Sequence, residues 1–248
     1  MGAIYVMWLR QLKRYGRSPA RIVASLGQPL LFFVALGFGL GRVFQAAGAG
    51  NYLNFLAPGI MAMSIIFTSV FSGMDLIWDR QFGFLKETLV APVSRVAIMF
   101  GRVLGGSTTS TLQGVLVLLL SIALGFRPEH WWGVIAAIGA GLSLAFLFAA
   151  FGLLLGTLMR DMQGYPLVMN FVVMPMFFLS GAVFPLDRVA SAMRLLAMID
   201  PLTYGVDALR RLLTGSAQFS LLTDLSVTIA LSLVLLLLAA RSFSRMQV

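Results

Sequence analysis

The most polar part of this 248-residue chain lies between its second and third long apolar runs, and it groups charges that could bind a partner. It contains Arg80, Gly83, Lys86, Glu87 and Pro92. The apolar residues that follow Gly83 have helical spacing, so we expect a short helix here that ends at Pro92. On such a helix the Glu87 carboxylate can accept charge-assisted hydrogen bonds from a partner protein or from a basic segment of this chain. The alternative is a solvated loop without a partner.

A second polar segment, residues 187–224, carries equal numbers of arginine and aspartate residues among many apolar ones. Its pattern fits two short amphipathic helices, broken at Asp200-Pro201. A re-entrant hairpin that dips into the outer leaflet and packs on protein would explain the apolar residues. A soluble extracellular loop is the alternative. The candidate functional residues of this hairpin and of the turn before it are Gly181, Pro185, Pro201, Tyr204, Asp207 and Arg210.

Three of these residues, Tyr204, Asp207 and Arg210, follow one another at three-residue spacing on one helical face. Charged side chains at membrane depth are tolerated only when they are paired or hydrated. We therefore expect Asp207 and Arg210 to lie near each other and to be shielded from lipid.

The residue types also exclude several kinds of chemistry. The two lysines, Lys13 and Lys86, both follow leucine, so neither belongs to a phosphate-binding P-loop. The chain has no cysteine, and its one histidine, His130, precedes Trp131-Trp132 at a predicted interface, where an aromatic belt is the expected role. We expect no catalytic residue, no metal site and no cofactor bound by this chain.

The composition predicts an integral membrane protein. Hydrophobic residues make up 59% of the chain and charged residues 11%, whereas soluble domains carry about 25% charged residues. The mean hydropathy is +0.93. Basic residues outnumber acidic ones by 18 to 9, but they lie beside apolar runs, which favours contact with anionic lipid headgroups over nucleic acid.

The gaps between charges predict an all-α fold with six transmembrane helices in one domain that occupies residues 1–248. A transmembrane helix needs about 20 mostly apolar residues. The predicted spans are residues 22–41, 55–74, 103–126, 131–159, 162–186 and 225–240. Residues 1–20 form a predicted basic amphipathic helix on the membrane surface, which ends at Ser18-Pro19.

The distribution of lysine and arginine predicts that both termini are cytoplasmic. Twelve of the 18 basic residues fall on the side of the termini and of the loop that contains Glu87, and six fall on the other side. Cytoplasmic segments carry the excess of Lys and Arg.

These features together resemble the permease subunit of ABC-2 type ABC transporters, most closely the drug-resistance and nodulation-factor exporters. The first motif that carries the resemblance reads Gly83-x-x-Lys86-Glu87-x-Leu89-x-Ala91-Pro92-x-Ser94. The second comprises Leu179-Ser180-Gly181-x-x-Phe184-Pro185 and Asp200-Pro201-Leu202-Thr203-Tyr204-x-x-Asp207-x-x-Arg210. The family normally has Asn-Pro where this chain has Asp200-Pro201.

The resemblance implies a permease that dimerises in the bacterial inner membrane and recruits two copies of a separate ATPase, which binds ATP and magnesium. Residues 79–95 would be the coupling loop that enters a cleft on the ATPase, and residues 187–224 the outer hairpin. The cargo would be amphipathic: a drug-like molecule, a lipid or a glycan-linked compound. An ion-coupled carrier, a channel and a membrane scaffold without transport of its own are the alternatives.

Overall fold

A computed structural model describes residues 2–46, 50–84, 93–159, 161–187 and 189–246. Within these ranges the regular structure is entirely helical, which confirms the all-α prediction. In chain order the helices are α1 (Gly2–Gly16), α2 (Pro19–Ala46), α3 (Tyr52–Ser72), α4 (Met74–Gln81), α5 (Arg95–Ala123), α6 (Trp131–Leu158), α7 (Tyr165–Leu179), α8 (Ser191–Ile199), α9 (Pro201–Thr214) and α10 (Leu221–Ser244).

Five apolar segments of the described chain are long enough to cross a membrane: α2, α3 together with α4, α5, α6 and α10. Each contains one of the predicted spans or most of it. The predicted span over residues 162–186 corresponds to α7, which has 15 residues. At 1.5 Å per residue α7 is about 22 Å long, shorter than a hydrocarbon core of about 30 Å.

Two prolines shape α7 differently. Pro166 lies in the first turn, where the missing N–H of proline costs no intrahelical hydrogen bond. Pro175 follows a π-helical turn, Met169–Val173. Proline has no amide hydrogen and its ring crowds the preceding helical turn, so the backbone of that turn must rearrange. The π-helical turn lies at this position.

The amphipathic helix α1 packs across the beginning of α5. Two glycines of α5 allow the contact, because a Cβ at Gly101 would lie 2.8 Å from the Cβ of Met7, and a Cβ at Gly105 2.5 Å from the Cβ of Gln11. Trp8 Nε1 donates a hydrogen bond to Thr108 of α5 over 3.1 Å. The face of α1 that the sequence analysis assigns to the membrane surface therefore contacts protein in part.

Helix α3 lies at the centre of the helical core, surrounded by α2, α5, α6 and α9. Close approach to α6 depends on small residues, because a Cβ at Gly156 of α6 would lie 2.5 Å from the carbonyl oxygen of Gly73. By contrast, α2 and α10 leave most of their apolar surface uncovered within the chain. These two helices therefore have surface available for lipid or for another subunit.

Candidate functional site

The predicted coupling residues are divided between described and undescribed parts of the chain. Arg80 lies in the last turn of α4. Gly83 follows that helix with φ +78°, a left-handed conformation that favours glycine and turns the chain away from the helix axis. Lys86, Glu87 and Pro92 lie outside the described residues, so their roles stay predictions.

Helix α4 itself carries two buried carboxylates, Asp75 and Asp79, four residues apart on one face. Helix α1 carries Arg10 and Arg14 at the same spacing, and the two pairs face each other. Arg10 lies 2.7 Å from Asp79 and Arg14 lies 3.1 Å from Asp75. Because residues four apart lie one above the other on a helix, the matched spacing aligns two ion pairs between α1 and α4.

Arg102 of α5 completes this charge cluster. Its guanidinium donates a hydrogen bond to the second carboxylate oxygen of Asp79, and both side chains are almost fully buried, with 3% and 5% of their surface exposed. A buried charge is stable only when it is paired and hydrogen-bonded. The Asp79 carboxylate therefore links α1, α4 and α5.

The sequence predicts a loop from residue 79 onward, but Asp79, Arg80 and Gln81 form the last turn of α4. Basic residues beside apolar runs indicate contact with lipid headgroups, so this pattern does not predict the ion pairs between α1 and α4. The signal that could have revealed them is the i, i+4 repeat of opposite charge in the two segments.

In helix α9, Asp207 and Arg210 are both buried, but they have different hydrogen-bond partners. The carboxylate of Asp207 accepts backbone hydrogen bonds from Gln218 at 2.9 Å and from Phe219 at 2.8 Å. These bonds fix the chain between α9 and α10.

Arg210 instead donates to the carbonyl oxygen of Gly181 at 2.8 Å, and its guanidinium lies 4.0 Å from the centre of the Phe55 ring. Gly181 has φ +77°, which favours glycine. Burial lowers the pKa of Arg210 to about 10, although the nearby Asp207 opposes that shift. Arg210 therefore connects α9 to α3 and to the turn that follows α7. Pro185 lies in the same turn.

Pro201 is the first residue of α9, where proline is favoured. Asp200 caps this helix by accepting a hydrogen bond from the amide of Leu202 at 2.9 Å. Burial raises the pKa of Asp200 to about 7. The hydroxyl group of Tyr204 donates a hydrogen bond to the carbonyl oxygen of Met198 at 2.9 Å, which connects α9 to α8.

Helix α8 turns an apolar face outward. Leu195, Leu196 and Ile199 expose 62%, 52% and 74% of their surface. Water alone would be an unfavourable environment for such a face.

No three His, Asp or Glu side chains within the described residues lie close enough together to hold a metal ion. The arrangement consists of helices that are connected by ion pairs and hydrogen bonds of buried charged side chains.

Comparison with known proteins identifies the family. Residues 2–214 match the profile of the ABC-2 type transporter family. The chain is 30% identical to the putative transport permease ycf38 of Cyanophora paradoxa, over 95% of this chain and 84% of the relative. It is 26% identical to nodulation protein J of Rhizobium leguminosarum bv. viciae, over 84% and 81% of the two chains. It is also 26% identical to the inner membrane transport permease YadH of Escherichia coli K12, over 92% and 89%. The chain therefore belongs to the ABC-2 type transporter family.

Proposed function

We propose that this protein is the permease subunit of an ATP-driven exporter, which moves an amphipathic, drug-like, lipid or glycan-linked substrate out of the cytoplasm. The observation that carries the proposal is the family match over residues 2–214 in a chain with five apolar helices of membrane-spanning length. Permeases of this family normally work with a separate ATPase. Since this sequence contains no P-loop, ATP and magnesium would bind to that partner and this chain would not be an enzyme.

The proposed topology has six transmembrane crossings, with both termini on the cytoplasmic side of the bacterial inner membrane. The excess of basic residues on one side supports the orientation. The short helix α7 would be the fifth crossing, completed by the turn at residues 180–187, and α8 and α9 would form a re-entrant hairpin in the outer leaflet. The exposed apolar face of α8 supports this placement.

Coupling to the ATPase would use Arg80, Gly83, Lys86, Glu87 and Pro92. The helix that leads into this loop, α4, is tied to α1 and α5 through Asp75 and Asp79. A displacement of the loop by the ATPase would therefore move α1, α4 and α5 as a unit.

We further propose that two copies of this permease associate with two copies of the ATPase, with lipids around the dimer. The uncovered apolar surfaces of α2 and α10 are candidates for the contact between copies or with lipid. The outer hairpin, with Gly181, Asp207 and Arg210, would then cover the outer end of the pathway between the subunits.

Purification of the tagged permease from its native membranes, together with any ATPase that co-elutes, tests these assignments. We expect a complex with the mass of two permeases and two ATPases, and ATP hydrolysis that depends on the permease. Glu87→Ala should reduce that hydrolysis and transport while the permease still inserts, whereas Asp161→Ala, in another predicted inner loop, should not. A permease that purifies without any ATPase would favour an ion-coupled carrier or a scaffold.

Single cysteines test the re-entrant hairpin, because the native chain has none. Cysteines at positions 195 and 199, on the exposed apolar face of α8, should react slowly with bulky external reagents, since lipid or the second subunit would cover them. A cysteine at position 216, in the turn after α9, should react quickly and only from outside. Equal fast rates at all three positions would identify a soluble loop.

A further inference from the structure

A cavity of about 270 Å³ lies between α1, α2, α3 and α5, and none of the proposed coupling or hairpin residues lines it. It follows one face of α3 and continues to the first turn of α4, from Ser64 to Asp75. These residues are 11 positions apart, which corresponds to about 16 Å at 1.5 Å per residue. The cavity is therefore long and narrow.

One end of the cavity is positively charged. Arg14, Arg21 and Asp75 line it, so two guanidinium groups face one carboxylate. Arg14 is paired with Asp75 at 3.1 Å. Within the described residues the Arg21 side chain has no hydrogen-bond or ion-pair partner. One positive charge is therefore available for an anion.

The other end contains an unsatisfied hydroxyl group. Ser64 is 2% exposed, and its Oγ has no hydrogen-bond partner in the described structure. Buried hydroxyl groups nearly always have a partner, and leaving one unpaired is unfavourable. A ligand with a hydrogen-bonding group at this depth would satisfy Ser64.

The wall between the two ends is mainly apolar and aromatic. Phe67 and Phe71 of α3 line it, together with the polar Thr68 and Ser72. An engineered apolar cavity of about 150 Å³ binds benzene, so a volume of about 270 Å³ suits one alkyl chain of medium length.

We propose that this cavity binds a single-chain anionic amphiphile that also carries a polar group at the far end of its chain. Its acidic group pairs with Arg21 and Arg14, its alkyl chain lies against Phe67 and Phe71, and its distal hydroxyl or carbonyl group hydrogen-bonds to Ser64. Under the proposed topology the charged end opens toward the cytoplasmic leaflet, next to α1. Binding at this site requires neither ATP nor the ATPase.

Calorimetric titration of the permease alone, in nanodiscs, with 10-hydroxydecanoate tests the site, with empty nanodiscs as the blank. We expect 10-hydroxydecanoate to bind more tightly than decanoate, which lacks the hydroxyl group, and more tightly than decanol, which lacks the charge. Arg21→Gln should weaken binding by about tenfold or more, because it removes a charge-assisted hydrogen bond. Arg17→Gln is the matched control: Arg17 is also basic and exposed, but it does not line the cavity.

Two further variants separate the site from simple partition into lipid. Ser64→Ala should remove the preference for 10-hydroxydecanoate over decanoate without abolishing the binding of either. Ala24→Phe should fill the cavity from α2 and block both ligands, whereas Ala20→Phe, outside the lining, should not. The proposal is wrong if Arg21→Gln and Ala24→Phe bind 10-hydroxydecanoate as well as the unaltered protein does. Because the ATPase is absent, this result is independent of whether the protein exports anything.

Discussion

Asp79→Asn is the substitution that should disturb the charge cluster most. The amide has the same shape as the carboxylate but no charge, so the packing of α4 is preserved. Arg102 then keeps its positive charge in a position where 3% of its side-chain surface is exposed, and it loses its ion-pair partner. Its Nε already has no hydrogen-bond partner in the described structure.

The expected loss in the free energy of unfolding is about 3–5 kcal/mol, the range for a buried ion pair from which one partner is removed. Arg10 pairs with the same carboxylate, but 40% of its side-chain surface is exposed. Arg10→Gln should therefore cost about 0.2–1 kcal/mol, as for ion pairs in contact with water. The double substitution Asp79→Leu with Arg102→Met removes both buried charges and should recover most of the stability that Asp79→Asn loses.

Unfolding of the purified permease in mixed micelles, induced by increasing amounts of dodecyl sulfate, measures these differences. The free energy of unfolding should be far lower for Asp79→Asn than for Arg10→Gln. The double variant should be more stable than Asp79→Asn and less stable than the unaltered protein. If Arg10→Gln costs as much as Asp79→Asn, burial does not determine the strength of these pairs and the reasoning fails.

Three further predictions concern the hairpin and the α1 contact. Because the pKa of Asp200 is raised to about 7, the folded state holds this proton more tightly than the unfolded state, and stability should fall as the pH rises from about 4 to 7. Asp200→Asn should reduce that dependence and be more stable at pH 8, by at most about 4 kcal/mol; thermal unfolding at pH 5 and pH 8 checks this. Gly105→Val should displace α1 from α5 and expose it to protease, whereas Gly39→Val, with open space around its Cβ, should not. Asp207→Ala leaves two backbone amides without their acceptor, which costs about 1–3 kcal/mol for each, and should speed hydrogen exchange at Gln218 and Phe219; the exposed Asp187→Ala is the control.

The helical architecture could be predicted from the sequence because charges are rare. Each apolar gap of about 20 residues has one physical solution in a bilayer, a helix that satisfies its own backbone hydrogen bonds. Ser18-Pro19 is also a boundary that the sequence marks, and in the structure α1 ends at Gly16 and α2 begins at Pro19. The gap for the last span has 16 residues, but α10 has 24 residues because it extends past the charge at both ends, from Leu221 before Asp224 to Ser244 after Arg241.

The contacts between helices could not be predicted in the same way. The counterions of Arg10, Arg14 and Arg102 lie far along the chain, and the charge gaps carry no information on which helices are neighbours. Likewise, the three-residue spacing predicts that Asp207 and Arg210 lie near each other, but it does not identify their hydrogen-bond partners. Their partners in the structure are backbone groups of neighbouring turns, which helical periodicity does not reveal.

The central claim, ATP-driven transport by this permease with a separate ATPase, is tested most directly in inverted membrane vesicles that contain both proteins. A panel of fluorescent amphipathic dyes and lipid analogues would report accumulation inside the vesicles. We predict uptake that requires ATP and both proteins, persists when a protonophore collapses the ion gradient, and is lost in Glu87→Ala. Uptake that proceeds without ATP and disappears with the protonophore would contradict the account and identify an ion-coupled carrier.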